Sequence, residues 1–246
     1  MKQEDVRKLL QALQEEAPET SLVETHISWL ILAPEYAYKL KQPLRFSFLD
    51  FSTPEKRRHF CEEELRLNRR LAPEVYLEVL GVFEENDRLK LAPLSGKEEA
   101  PLDYALKMKR LDNSREMDLL LEKGEVDKEE VEKLAEKLAH FHQKTEKYTS
   151  PEYRPREGEL FRDLRSVGPR LESWGIPRAV RKIEEAIERS DHLWEKFSAR
   201  ITGRHQQGFT VDGHGDLHSG NIFLLNDPVI FDCIEFDEHL RILDVL

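Results

Sequence analysis

A short polar loop that leads into a β-hairpin near the end of the chain most constrains the fold. Residues 211–221 read Val-Asp-Gly-His-Gly-Asp-Leu-His-Ser-Gly-Asn. Two apolar runs follow at 222–225 and 229–231, separated by a turn-forming Asn-Asp-Pro, and the second run ends at Asp232. The pattern predicts a hairpin with the polar loop at its start and an acidic residue at its far end.

Three polar side chains of this segment have a spacing that suits phosphoryl transfer. Asp216 precedes Asn221 by five residues, and Asp232 follows the hairpin. The kinase signature His-Arg-Asp-Leu-x-x-x-Asn has the same Asp-to-Asn spacing, and a later Asp binds the metal. Such transfer needs one carboxylate at the acceptor hydroxyl and oxygen ligands for Mg²⁺. We therefore predict Asp216 as the catalytic base and Asn221 and Asp232 as Mg²⁺ ligands.

A lysine on a predicted strand is a candidate for nucleotide binding. In the strand 36–41, Ala37 and Lys39 share one face because side chains alternate along a strand. A small residue leaves room for a base, a cation suits phosphates, and the kinase Val-Ala-Ile-Lys strand has the same Ala-x-Lys pattern. The alternative is a solvated edge strand whose lysines reach into water.

A glutamate within the apolar stripe of the next predicted helix is the expected partner of that lysine. The helix covers 54–71, and Glu64 lies inside its stripe. A carboxylate on a packed face is costly unless it is paired. Kinases pair a strand lysine with a helix glutamate, and by that analogy we predict an ion pair with Lys39. The alternative is a pair with Arg57 or Arg66 on the same helix.

The remaining pattern predicts an α+β fold with two lobes. The strand pattern breaks at 111–114, where a hinge would connect the lobes. In kinases the main chain of the hinge holds adenine, so by analogy Lys109, Arg110 and Leu111 are candidates for adenine contact through their main-chain groups. We place the N-lobe at 1–111 and the helical C-lobe at 112–246, with the catalytic loop at 214–221. An amphipathic helix is predicted at 3–16, and the N-lobe sheet has about five antiparallel strands drawn from the runs 22–32, 36–41, 75–83, 88–94 and 102–111.

Composition excludes several classes of protein. The formal net charge is -11 with 35% charged residues, which argues against nucleic acid as the main partner. No apolar run is long enough to span a membrane, and the N-terminus has no signal-peptide pattern. Cys61 and Cys233 form no close pair in the sequence, so we expect a reduced, cytoplasmic protein.

The chain resembles the aminoglycoside phosphotransferase family, in particular a bacterial branch whose substrate is unassigned. The resemblance rests on His-Gly-Asp-Leu-His-x-x-Asn at 214–221 and a later Asp, and it extends to 25–28, 37–39, 48–52 and 65–71. It implies a two-lobed, protein-kinase-like fold with ATP and Mg²⁺ as cofactors. The implied substrate is a small molecule with a hydroxyl group, for which Glu235 and His218 are candidate contacts. Glu235 could instead be a solvent-exposed acid, and His218 could pack within the loop.

Two departures from the family pattern are visible. Thr25-His26-Ile27-Ser28 takes the place of a glycine-rich phosphate loop. The chain also stops at Leu246, where 241–246 look like the first turn of a further helix, so we expect a C-lobe truncated at its C-terminus. Some members of the family carry a second, P-loop kinase-like domain, and such a domain is an expected fused or separate partner.

Two other functions compete with a small-molecule kinase. A nucleotide-binding regulatory module without turnover, a pseudokinase, would keep the same fold. Gly215 to Gly220 also resemble the Gly-Asp-x-His-Gly box of metallophosphoesterases, but those enzymes need several further ligands, and only His239 follows. A zinc site at His214, His218 and Cys233 is a further alternative.

Overall fold

The protein has an α+β fold with an antiparallel sheet at its N-terminal end and helices in its C-terminal region, as predicted. The computed structural model describes residues 1–46, 48–94, 100–150 and 161–245. Contacts divide the chain into two compact units. Unit 1 comprises Met1–Phe141 with Asp216–Asp237, and unit 2 comprises His142–Gly215 with Glu238–Leu246. The lobe boundary at 111/112 stays a prediction.

Unit 1 is built on one antiparallel sheet with a helix on each face. Its elements are α1 Gln3–Glu16, β1 Ser21–Glu24, β2 Ser28–Leu32, β3 Tyr36–Lys41, α2 Pro54–Asn68, β4 Tyr76–Glu85, β5 Arg88–Pro93 and β6 Asp103–Lys109. The strand order is β1-β2-β3-β6-β4-β5. Val6 and Leu9 of α1 pack on the face that carries Trp29 and Leu40, whereas α2 packs against β4 and β6.

The sheet has six strands, not the predicted five, because the apolar run 22–32 contains a tight turn. Thr25 Oγ1 donates a hydrogen bond to Ser28 O (3.0 Å) and accepts one from Ser28 N (3.0 Å). A threonine side chain thus bonds to the backbone where the sequence has neither glycine nor proline. The turn separates β1 from β2, which pair with each other as antiparallel neighbours.

Strand β3 lies in the interior of the sheet, between β2 and β6. The alternative of a solvated edge strand is therefore wrong. Ser28 lies opposite Lys41, and Leu30 lies opposite Lys39. Directly paired residues of antiparallel strands share a face, so Lys39 and Lys41 lie on the same face as Leu30 and Ser28. Helix α2 covers this face, because both lysines contact Glu64 of α2.

Helix α2 begins as predicted and ends earlier than predicted. Thr53 is its N-cap, its side chain accepting from Lys56 N, and Pro54 is the first helical residue. The helix ends at Asn68, since Arg70 N and Leu71 N bond to carbonyls only three residues back. The buried face of α2 carries Arg57, Cys61, Glu64, Leu67 and Asn68.

The rest of unit 1 contains helices and the predicted hairpin. Its strands β8 and β9 pair antiparallel, so the hairpin prediction is confirmed. Their side chains pack with Leu71, Leu120 and Leu134.

The further elements of the chain, in both units, are α3 Met117–Lys123, α4 Lys128–Lys144, α5 Gly168–Ser173, α6 Pro177–Gln206, β7 Thr210–Asp212, β8 Ile222–Phe223, β9 Val229–Ile230 and β10 Ile242–Asp244.

Unit 2 contains a correction at the end of the chain. Residues 242–244 form strand β10, antiparallel to β7, and not the first turn of a helix. Two ion pairs fix this geometry: Arg241 Nε lies 2.7 Å from Asp212 Oδ1, and Arg204 Nη2 lies 2.6 Å from Asp244 Oδ1. Pairing with β7 satisfies the backbone hydrogen bonds of β10. The local sequence pattern of 241–246 could not predict this long-range pairing. In the described ranges, no helix combines the length and apolarity required to cross a membrane.

Candidate active site

Five charged side chains form a linear network in unit 1. Lys39 Nζ lies 2.8 Å from Glu64 Oε1 and 2.5 Å from Asp232 Oδ1. Lys41 Nζ lies 2.7 Å from Glu64 Oε2 and also forms an ion pair with Glu235. The order is Asp232, Lys39, Glu64, Lys41, Glu235, with alternating charges. The predicted ion pair between Lys39 and Glu64 is therefore present.

The network is open to solvent at one end only. Glu64, Lys41 and Glu235 are buried, whereas the side chain of Asp232 is 43% exposed. Burial alone would lower the pKa of Lys39, but the carboxylates of Asp232 and Glu64 outweigh burial and raise this pKa well above its ordinary value. Glu235 and Glu64 raise the pKa of Lys41 in the same way against the effect of burial. Both lysines are consequently cationic.

Helix α2 and strand β4 hold the backbone at Asp232. Asp232 adopts a left-handed conformation with φ of 63°, which is uncommon for a residue other than glycine. Its N–H donates to the hydroxyl of Tyr76 (3.1 Å), and the next N–H, of Cys233, donates to Asn68 Oδ1 (2.9 Å). Asn68 Nδ2 donates in turn to Glu64 O (2.9 Å). The helix that supplies Glu64 thus also positions the segment that supplies Asp232.

The polar loop before the hairpin brings Asp216 and Asn221 together. Asn221 is buried, and its Nδ2 donates to Asp216 O (2.9 Å). The side chain of Asp216 is 57% exposed, and its Oδ2 lies 3.7 Å from His218 Nε2. His218 Nδ1 accepts a hydrogen bond from Gly220 N (3.1 Å), so this histidine shapes the loop. Phe231 N donates to Asn221 O (3.1 Å), which links the loop to the residue before Asp232.

An apolar pocket of about 260 Å³ lies beside the network within unit 1. Its lining residues include Ala37, Lys109 and Leu111, the three candidates for contact with a nucleotide base. Lys109 N and Arg110 N donate to Val75 O and Glu35 O. The apolar part of the lining comprises Val23, Leu30, Leu32, Ala37, Val75, Met108, Leu111, Phe223 and Phe231.

Comparison with known proteins identifies the family. The sequence pattern of the phosphotransferase enzyme family (APH) matches residues 40–245. The chain belongs to this family. Its fold, with an N-terminal antiparallel sheet and a helical C-terminal region, is the kinase-like fold expected from the resemblance.

Curated relatives of this phosphotransferase-family chain occur in mycobacteria. The chain is 30% identical over 229 residues to the uncharacterized protein Mb2027c of Mycobacterium bovis. The same values hold for the uncharacterized proteins MT2060 and Rv2004c of two Mycobacterium tuberculosis strains. Each alignment covers 90% of this chain and 42% of the relative. The chain thus spans about two fifths of the length of the relatives that it matches.

At two residues of this phosphotransferase-family site, the structure differs from what the sequence predicted. Glu235 was a candidate for acceptor contact or an exposed acid, but it is buried and pairs with Lys41. Lys41 itself was not predicted, although it follows Lys39 by two residues on the same strand face. The pair could not be foreseen because the two residues are 194 positions apart. The anchors Asn68 and Tyr76 were also missed, since neither carries a motif.

The oxygen donors at Asn221 and Asp232 suit a hard cation that arrives with phosphate. Among the described residues, no cluster of three or more His, Cys, Asp or Glu side chains could hold a metal by itself. Mg²⁺ is commonly held by one or two protein oxygens together with waters and substrate phosphates. The Asn221 amide nitrogen is bonded to Asp216 O, which leaves the amide oxygen as the donor for a cation. The residues present therefore fit Mg²⁺ bound jointly with a nucleotide.

The buried thiol of Cys61, which lies near Lys41 and Glu64, should be chemically inert in the folded protein. Burial raises the pKa of Cys61 to about 12, so the reactive thiolate is scarce below that pH. We expect Cys61 to resist iodoacetamide at pH 8 and to react readily in urea, as measured by mass spectrometry of its peptide. Native-state alkylation as fast as in urea would contradict this expectation.

Proposed function

We propose that the chain is an ATP- and Mg²⁺-dependent phosphotransferase that acts on a hydroxyl group of a small molecule. The observation that carries the proposal is the position of Lys39 Nζ, between Glu64 Oε1 at 2.8 Å and Asp232 Oδ1 at 2.5 Å. Kinases require this strand lysine and helix glutamate pair together with a metal-binding aspartate. Membership in the phosphotransferase enzyme family supports the same reaction class.

The nucleotide is assigned to the apolar pocket and the adjoining lysine. Adenine would occupy the space beside Ala37 and meet the main chain of Lys109 and Leu111. Lys39 would bind phosphate oxygens, and Glu64 would hold its ammonium group in place. In the structure, Lys39 neutralises Asp232 instead. Phosphate would take over Lys39, which would release the Asp232 carboxylate for metal binding.

Asn221 and Asp232 are the proposed Mg²⁺ ligands. Their carbonyl and carboxylate oxygens are the donors that Mg²⁺ prefers. When bound, the ion would neutralise charge on the phosphates and orient them for transfer. The chain contributes two rigid supports: the bond from Asn221 Nδ2 to Asp216 O, and the hydrogen bonds from Asp232 N to Tyr76 and from Cys233 N to Asn68.

Asp216 is the proposed base at the acceptor hydroxyl. Its carboxylate is largely exposed, whereas its main chain is held by Asn221. It could accept the hydroxyl proton as the oxygen attacks the terminal phosphorus of ATP. His218 lies beside Asp216 and remains a candidate for acceptor contact. The additional length of the mycobacterial relatives is compatible with a P-loop kinase-like partner domain, which stays part of the proposal.

Removal of the Asp232 carboxylate tests the proposal at the binding step. Asp232→Asn should weaken ATP binding in the presence of Mg²⁺ by roughly 10-fold or more, as loss of one hard metal ligand implies. Titration calorimetry with ATP, with and without Mg²⁺, would measure the loss. The matched control is Asp227→Asn in the hairpin turn, where the carboxylate is exposed and pairs with Lys137.

The result separates the competing functions. A folded wild-type chain that fails to bind ATP with Mg²⁺ would overturn the proposal. Binding that depends on Asp232, without phosphate transfer to any hydroxyl compound in a broad screen, would favour a nucleotide-binding regulatory module. Equal losses in Asp232→Asn and Asp227→Asn would argue against the assigned metal ligand.

A further inference from the structure

Lys41 occupies an unusual place for a lysine. It lies in the interior strand β3 on the same face as Lys39, and its side chain is 1% exposed. Its ammonium group contacts Glu64 Oε2 and Glu235, and it lies 4.8 Å from the centre of the Phe51 ring. A buried charge of this kind is costly unless its partners are fixed. Both partners belong to the network of the candidate active site.

The two oxygens of Glu64 are divided between two lysines. Oε1 contacts Lys39, whereas Oε2 contacts Lys41. Lys39 is shared with Asp232, which is solvent-exposed, but Lys41 has only buried partners in the network. Under the proposed function, a nucleotide phosphate would also bind the ammonium group of Lys39. Glu64 would then depend on Lys41 to stay in one orientation.

We infer that Lys41 is a positioning residue that holds Glu64 so that Glu64 can orient Lys39 toward nucleotide phosphate. This inference rests on the proposed function and adds to it. Glu235 supplies the countercharge that makes a buried Lys41 tolerable. Because Glu235 lies three residues after Asp232, the same pair also ties the segment that bears Asp232 to strand β3. Glu235 would therefore hold Lys41 and would not contact the acceptor.

The test removes the positioning cation and its countercharge together. In Lys41→Met alone, Glu235 would be left buried without its cation, and the variant should lose stability for that reason. In the double variant Lys41→Met with Glu235→Gln, one positive and one negative charge disappear, so the unfolding midpoint should recover relative to Lys41→Met. ATP affinity in Mg²⁺ should nevertheless fall by roughly 10- to 100-fold, as for other residues that orient ligand-binding groups from behind.

Three controls distinguish positioning from damage to the fold. Adenosine would occupy the apolar pocket under the proposed function but has no phosphate, so the double variant should bind it as the wild type does. Glu235→Gln alone keeps Lys41 on Glu64 but removes the tie to the segment that bears Asp232, so its ATP affinity should fall by less than that of the double variant. A matched double variant is Lys107→Met with Glu78→Gln, a pair at 3.3 Å on the neighbouring strands β6 and β4. Lys107 pairs with Tyr38, so its side chain lies on the opposite face from Lys39.

Each outcome decides the inference. A loss of ATP affinity with adenosine binding intact would support it if the loss is larger in the double variant than in Glu235→Gln and absent from the Lys107→Met, Glu78→Gln variant. Equal losses in the double variant and in Glu235→Gln alone would overturn it. Wild-type ATP affinity in the double variant would overturn it while the proposed function stands. Equal loss of ATP and adenosine, or a double variant that fails to fold, would make Lys41 a structural residue only. A folded wild type that binds no ATP with Mg²⁺ would overturn the proposed function and this inference with it.

Discussion

Replacing Asp216 with asparagine should reduce phosphate transfer by roughly 10²- to 10⁴-fold, the usual contribution of a general base. Asparagine keeps the shape of the side chain but cannot accept the proton of the acceptor hydroxyl. The loop should stay in place, because Asn221 Nδ2 bonds to the main-chain oxygen of residue 216 and not to its side chain. ATP binding should consequently change little, and the loss should appear in turnover.

The measurement needs an acceptor, which a screen of small hydroxyl compounds with labelled ATP and the wild type would supply. Initial rates of transfer would then be compared between the wild type and Asp216→Asn at saturating ATP. Asp227→Asn is again the matched control, since Asp227 is an exposed aspartate of the same unit and pairs with Lys137. Turnover of Asp216→Asn within about threefold of the wild type would exclude Asp216 as the base, given the magnitude expected for that role.

Local sequence signals predicted the parts of the fold that depend on near neighbours. Helix α1 has the predicted bounds, and α2 begins at Pro54 after the threonine cap. The hairpin of β8 and β9 follows from two apolar runs around Asn-Asp-Pro. The ion pair of Lys39 and Glu64 was also predicted, because Glu64 lies on a packed face and needs a partner and because kinases pair a strand lysine with a helix glutamate.

Features that depend on distant partners were not predictable. The turn between β1 and β2 was missed because Thr25 bonds to the backbone of Ser28 without a glycine or proline. Strand β10 was mistaken for a helix start because its pairing with β7 lies outside any local window. Lys41 and Glu235 are separated by 194 positions in the sequence. Lys39 and Lys41 lie on the same face of β3, so the alternation of side chains along the strand does not indicate which of the two is buried.

A second interaction of this distant kind holds α2 on the sheet of unit 1. Arg57 of α2 and Asp103 of β6 are both buried, with Arg57 Nε 2.8 Å from Asp103 Oδ1 and Nη2 2.8 Å from Oδ2. Arg57 Nη1 also donates to Phe51 O (2.8 Å). The amino group of Met1 lies 3.1 Å from Asp103 Oδ2. One buried carboxylate thus compensates two cations and ties α2 to the sheet.

Asp103→Ala should therefore lower the free energy of unfolding by about 3–5 kcal/mol, because it leaves buried cations without a counterion. Urea unfolding followed by circular dichroism would measure the change. The matched control is Glu62→Ala on the same helix, which removes an exposed pair with Arg58 at 2.8 Å and should cost less than about 1 kcal/mol. The double variant Arg57→Met with Asp103→Leu should regain part of the loss, since a buried ion pair can be replaced by apolar groups. Equal effects of Asp103→Ala and Glu62→Ala would mean that the buried pair does not hold α2 on the sheet.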